Sequence, residues 1–295
     1  DGDEVIFIDE YKLIVTNSYG ESIDLFNDKE AVLTSLEGVS LEADVNTMNL
    51  SGLDGSSFVS SRLPERNISI VIQYRNEVID AEKSKLRIYR IFRPKEIVKI
   101  RFISQNQDRY VEGYVTKCDT PPTTFPMISQ VSVKVPDPYW HTFENYRTLL
   151  CGVSPSFEFI KDNTELNCVE FSVTKNSLLT GIDYEGDSTV GFTVVFEIKA
   201  PVAVIGIRSI NSDTALRVKA DFYEGDVITI CTIPKHKEVT LLRNSERFDY
   251  LIKMTPGSRF PMLYPGENVL EVLLEGGTSA SVNVNCLYET LFGGI

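Results

Sequence analysis

The stretch Val131–Trp140, VSVKVPDPYW, decides how the chain is read. Val131, Val133 and Val135 alternate with Ser132 and Lys134, the period of a strand with one buried face. That strand cannot continue. Pro136 and Pro138 lack a backbone donor, and each drives the residue before it away from the helical region. Asp137 between them favours a turn. Tyr139 and Trp140, the only Trp in the chain, follow at once. A sheet ends abruptly, with two large amphipathic rings at its exit. The alternatives are an ordinary surface turn and a domain exit, with Pro136, Asp137, Pro138, Tyr139 and Trp140 as an inter-domain anchor.

Upstream, Arg66–Tyr74 alternates in the same way, with Ile68, Ile70, Ile72 and Tyr74 on one side. Asp80 can cap a helix starting near Ala81, and Lys83–Phe92 is composed mostly of good helix formers. Leu86 with Tyr89, and Ile88 with Phe92, predict its apolar face, and Pro94 stops it. Strands follow over 97–103 and 110–117, the first with Val98, Ile100 and Phe102 inward. Before Arg66 lie short strand-like runs at Val5–Ile8, Lys12–Val15, Ser22–Phe26 and Ala31–Leu41. The polar run Glu42–Ser61, with Gly52 and Gly55, is read as a long exposed loop. Loops of that length are uncommon unless they carry function or are ordered by a partner.

Downstream, nearly everything is strand and turn. Val190, Phe192, Val194, Phe196 and Ile198 alternate with polar or small residues. Similar runs recur with turn signals every ~8–12 residues, the pattern of a β-sandwich. Residues 1–145 and 146–295 are therefore expected to form two mainly β domains, the first carrying the single α-helix.

The chain of 295 residues is 42% hydrophobic and 24% charged, ordinary for a globular protein, with a formal net charge of −13. The charge is uneven. Residues 1–60 hold two bases against thirteen acids, whereas 61–150 hold fifteen bases against ten acids. Net acidity argues against tight binding to nucleic-acid phosphates. No run approaches the ~18 apolar residues of a membrane helix, so no membrane insertion is expected. The acidic start lacks the basic-then-apolar order of a signal peptide. Five dispersed Cys without C-x-x-C spacing read as free thiols in a reducing compartment, with Cys168 and Cys286 in core strands.

Catalytic patterns are missing. His141 and His236 stand alone, outside any H-E-x-x-H arrangement. There is no nucleophile elbow and no phosphate-cradling loop. The acidic run Asp183–Asp187 lacks the length and terminal Glu of a calcium loop and reads as a hairpin turn. No catalytic residue, metal ligand or cofactor is expected. A sandwich glycosidase would need two carboxylates facing across a cleft. A carbohydrate-binding adhesion module without catalysis is the alternative reading. It would need an exposed aromatic platform, but the second half has no Trp, and tyrosines such as Tyr184, Tyr223, Tyr250 and Tyr264 read as core or rim.

Four features in order resemble siphophage distal tail proteins (Dit). GLDGSSFVSSRLPERNISI (Gly52–Ile70) is similar to that family's DG…R…R-x-I-x-I segment. The helix ending IYRIFRP (Ile88–Pro94), the strand pair around RYVEGYV (Arg109–Val115) and PDPYW follow in the family's order. Phe260–Asn268 and the tail LYETLFGGI resemble its closing segments. The resemblance implies a first-domain β-sandwich with one helix and a second domain that is a galectin-like or carbohydrate-binding-module-like sandwich. It implies a virion structural protein of a long non-contractile tail, assembled in the bacterial cytoplasm as a homo-hexameric ring. Such a ring joins the tail tube protein to tail-tip, receptor-binding or baseplate proteins, and DNA passes through it without specific binding. On this reading Leu50, Leu53, Phe58, Arg66, Arg87 and Arg90 are candidate ring-interface residues. The basic run Lys83–Arg101 would face a neighbour's acidic surface, and part of the acidic first 60 residues would line the lumen.

Overall fold

A computed structural model describes residues 11–49, 51–52, 54–74, 78–121, 126–143, 145–155, 172–175 and 177–295. Val5–Ile8 and Cys168 lie outside these residues. Two compact units form, Asp1–Phe143 together with Phe292–Ile295, and Glu144–Leu291.

The first unit contains β1 (Lys12–Asn17), β2 (Ser22–Asp24), β3 (Ala31–Glu37), β4 (Asp44–Asn49), β5 (Ser56–Arg62) and β6 (Arg66–Tyr74). The helix α1 (Val78–Ile91) follows, then β7 (Ile97–Ser104), β8 (Gln107–Asp119), β9 (Ile128–Val135) and β10 (Trp140–Thr142). Strands run in the order β2-β1-β7-β8-β9-β6-β3, and β10 pairs with β8. The alternation that marked β6 and β9 is what builds the core. Ile70 pairs with Val131 and Ile68 with Val133, so one face of both strands is a continuous apolar surface. Each of these side chains contributes ~1.5–3 kcal/mol by leaving water. They join one cluster with Leu13, Val15, Val98, Ile100 and Val111, on which Phe102 packs from the rim.

The helix closes that cluster with Ile88 and, just past its end, Phe92, as read from the sequence, but Leu86 does not share that face. It begins at Val78, so Asp80 lies inside it and not at its cap. Leu86 is 66% exposed, and the buried side runs through Ala81, Ser84, Ile88 and Ile91. Small residues at Ala81 and Ser84 let the helix approach the sheet. The Ser84 hydroxyl donates to Glu30 Oε2 at 2.8 Å. A polar residue thus sits on the inner face because a distant carboxylate satisfies it.

The basic run meets acids of its own chain. Arg87 Nη2 lies 2.6 Å from Asp28 Oδ2, and Arg90 Nη1 lies 4.0 Å from Glu21 Oε1. Burial pushes the Asp28 carboxyl up, but the Ala31 and Glu30 amides and the Arg87 guanidinium outweigh it. Its pKa therefore lies below the ordinary value of 3.8. A depressed folded-state pKa adds stability above the unfolded pKa, and that contribution is lost as pH falls through the folded one. Acid titration below pH 3.8 should therefore weaken α1 docking in the wild type, and Arg87→Ala should shrink that pH dependence. Urea midpoints at pH 7 and at acid pH in the two proteins check this.

The segment Glu42–Ser61 is not a loop. β4 and β5 form a separate two-stranded antiparallel ribbon, exposed along its whole length. Gly52 and Gly55, at φ +82° and +89°, bracket its tip in the left-handed region that glycine tolerates best. The alternation that betrays a strand arises where one face meets the chain's own core. Here neither face does.

The second unit holds β11 (Tyr146–Pro155), β12 (Ser172–Lys175), β13 (Leu179–Tyr184), β14 (Thr193–Ile198), β15 (Val202–Ser209) and β16 (Thr214–Phe222). It continues with β17 (Val227–Cys231), β18 (Glu238–Arg243), β19 (Glu246–Asp249), β20 (Gly266–Glu275) and β21 (Val282–Tyr288). These make a seven-stranded sheet, β12-β11-β21-β14-β17-β18-β19, and a four-stranded sheet, β13-β20-β15-β16. The predicted sandwich is present. Val194, Phe196, Ile228, Ile230, Val284 and Cys286 from one sheet and Ile205, Ile207, Leu270 and Val272 from the other are all buried. Asp183–Asp187 does not turn a hairpin. β13 pairs with β20, and the next strand, β14, belongs to the other sheet, so the run is a crossover. Phe260–Asn268 owes its shape to Asn268, whose buried side chain donates to the Tyr264 and Gly266 carbonyls and accepts from the Tyr264 amide.

Candidate assembly surface

The β4–β5 ribbon has two unlike faces. Directly paired residues of antiparallel strands share a face. Asp44 pairs with Arg62, Asn46 with Ser60 and Met48 with Ser57. On that face Arg62 Nε lies 3.3 Å from Asp44 Oδ2, and Asn46 Nδ2 donates to Ser60 Oγ at 3.1 Å. Val45 pairs with Ser61 and Thr47 with Phe58, which puts Val45, Thr47 and Phe58 together on the other face. Phe58 is 66% exposed there. A register shift between Asn46 and Thr47 leaves Val59 as the extra residue of a bulge. One face thus carries two polar cross-strand pairs, with the exposed Met48 beside them. The other presents an aromatic and β-branched surface with nothing on it among the described residues of its unit. Isolated two-stranded ribbons are marginal in water, so this one gains by being covered. Leu50 and Leu53 lie outside the described residues. Val45, Met48 and Val59 were not singled out from sequence, and the signal that could have found them is β-branched and apolar residues spaced through a Ser/Asn-rich run.

The ribbon is rooted at a buried arginine. Arg66, the first residue of β6, is only 5% exposed. Its Nη1 donates to the Val39 carbonyl at 2.6 Å, and its Nη2 donates to the Pro138 carbonyl and, at 2.8 Å, to Gly293. Burial pulls its pKa down from the ordinary value, and the Asp137 charge acts in the opposite direction. The guanidinium lies 5.7 Å from the centre of the Trp140 ring, and Trp140 Nε1 donates to the same Val39 carbonyl at 3.0 Å. Gly38, at φ +78°, permits this approach, since a Cβ there would lie 1.9 Å from the Asn67 carbonyl oxygen. A cleft of about 270 Å³ opens beside this node between the two legs of the ribbon, lined by Ser40, Glu42, Pro64 and Asn67 among others.

The remaining sequence-selected residues divide. Trp140 is fully buried in the first unit's core, Pro138 and Tyr139 are half-buried, and Pro136 and Asp137 are exposed. The Asp137 carboxylate accepts from the Tyr139 amide at 3.2 Å, the short loop that turns the chain after β9. Arg66 is enclosed within its unit and offers no surface. Arg87 and Arg90 are exposed but face Asp28 and Glu21. The exposed Arg90–Glu21 pair is worth ~0–1 kcal/mol. The site thus brings Phe58 to a free surface, Arg66 and Trp140 to its root, and the two helix arginines elsewhere.

Among the described residues no three His, Cys, Asp or Glu side chains stand together as a metal site. Burial pushes the Cys118 thiol up to about 12, far from a reactive thiolate. No helix among the described residues is long and apolar enough to cross a membrane.

Comparison with known proteins agrees with the division into units. A family model described as a phage tail protein RIFT-related domain matches residues 18–135. A second, described as the C-terminal domain of a siphovirus-type tail component, matches residues 185–290. Together they define a structural component of a siphophage virion tail. The chain belongs to the distal tail protein (Dit) family. Among solved structures it is similar to the Dit protein of phage SPP1, described as a hub of the adsorption apparatus in phages infecting Gram-positive bacteria. Identity is 12%, coverage is 95% of this chain and 99% of that one, and the TM-score is 0.67. A chain of the phage P2 baseplate in its activated, calcium-bound form is 11% identical, with 95% and 98% coverage and a TM-score of 0.49. A search of curated protein sequences returned no match.

Proposed function

We propose that the chain closes into a ring, expected from the family to be a hexamer, that joins the tail tube to the baseplate at the tail tip. The carrying observation is the two-faced ribbon, one face of which carries two polar cross-strand pairs while the Val45–Thr47–Phe58 face carries none. A contact in which the ribbon of one copy lies on a different surface of the next is heterologous, and such contacts form a ring when the rotation between copies closes. The first unit forms the ring. The second carries the docking sites for tail-tip, receptor-binding or baseplate proteins, which the hub role described for the SPP1 relative supports. The work is assembly without bond chemistry, performed in the host cytoplasm before the virion is complete. Residues 1–60, with thirteen acids against two bases, supply carboxylates to the lumen, where they repel DNA phosphates and let the genome pass. Asp28, Glu30 and Glu21 are turned to α1, so other acids of this stretch serve there.

Native mass measurement at rising concentration, with negative-stain imaging, tests the reading. The expected result is a sixfold mass and an open-centred ring. A chain that stays monomeric at every concentration, and also when purified tail tube is added, would overturn it.

A further inference from the structure

Arg66 is a buried cation held by main-chain carbonyls and not by a carboxylate. Its three acceptors come from three separate parts of the chain. Val39 stands on the leg that enters the β4–β5 ribbon. Pro138 stands just before the chain leaves the first unit at Phe143, and Gly293 just after it returns at Phe292. Trp140 repeats the linkage, since it lies under the guanidinium and donates to Val39. The returning segment has a second fastening, Arg109 Nη1 to the Gly294 carbonyl at 2.5 Å. Arg66 Nε is buried without a hydrogen-bond partner. Its two terminal nitrogens therefore carry the whole load, and a lysine ammonium could not reach three carbonyls in this planar spread.

We propose that Arg66 is a coupling junction. Its guanidinium ties the ribbon's entry leg to both connections with the second unit, so that displacing the leg releases the two connections together. A partner seated on the ribbon would then be felt where the chain leaves and re-enters the first unit. Main-chain segments that share one charged donor open as a unit, because freeing any one acceptor weakens the cage that desolvates the rest. The inference rests on the first unit's own geometry and stands whether or not the ring forms.

Native-state hydrogen exchange under rising denaturant tests it on the wild-type chain. Amides of 39–42, 139–143 and 292–295 are expected to exchange through one shared opening. Arg66→Lys should raise exchange in all three by a common factor of about tenfold or more, the scale of losing one charge-assisted hydrogen bond. Amides of β7 should stay within about twofold, as expected for sites outside a local opening. Separate openings for the three segments in the wild type would overturn the proposal. So would a rise confined to one segment, or a uniform rise matching that of the core variant Val131→Ala. Should Arg66→Lys fail to fold, the wild-type openings decide alone.

Discussion

Phe58→Asp is expected to leave the chain folded and to stop it assembling. Phe58 stands on the uncovered face of the ribbon, opposite Thr47, and is not among the residues of the first unit's core. Substitutions at such exposed positions usually move stability by no more than about 0.5 kcal/mol. At a packed contact the outcome differs. Truncating a central aromatic anchor commonly costs ~2 kcal/mol or more, and a buried, unpaired carboxylate adds its desolvation. In a closed ring that loss recurs at every junction. Thermal unfolding should therefore be unchanged while native mass falls to that of a monomer. Ser57→Asp on the polar face serves as the control and should assemble. Equal loss in both variants would show that charge alone disperses the ring. Assembly by Phe58→Asp would place the contact on another surface.

Trp140→Ala carries the largest expected stability loss. The indole is fully enclosed, and removing a buried Trp costs ~3–5 kcal/mol through lost burial and the cavity left behind. Here the substitution also takes one of two donors from the Val39 carbonyl and removes the ring beneath Arg66. Urea unfolding should show the first unit melting earlier than in the wild type while the second keeps its midpoint. A loss below ~1 kcal/mol would mean the pocket collapses around the missing ring, and the stretch after β9 would be an ordinary turn.

Most longer strands of the first unit were legible where one face met the core, though the short β10 was read only as the exit of the chain. β6, β7 and β9 announced themselves by alternation because their inner residues pack on each other. The ribbon was not legible, since β4 and β5 have no inner face within their own chain. The helix was found, and Ile88 and Phe92 were placed inward correctly, but Leu86 was not. Leu86 and Tyr89 have the spacing, yet Ser84 with its Glu30 partner occupies the inner side, and that partner lies 54 positions away. Of the candidate surface, Phe58 was legible as an apolar residue stranded in a polar run. Arg66 was legible only as a cation. Its partners are carbonyl oxygens, which no side chain encodes, and one of them arrives 227 positions later.

The return of Phe292–Ile295 to the first unit has a consequence for synthesis. Phe292 and Ile295 pack on the core cluster of a unit whose other described strands end at Thr142. On the ribosome that core waits, missing its last pieces, while about 150 intervening residues are made, at ~5–20 residues per second. The second unit is thus an insert held at both ends. It can fold early as a self-contained body, whereas the first becomes complete only when its tail emerges. Exchanging the insert for another β domain with closely spaced termini would leave both attachment points in place.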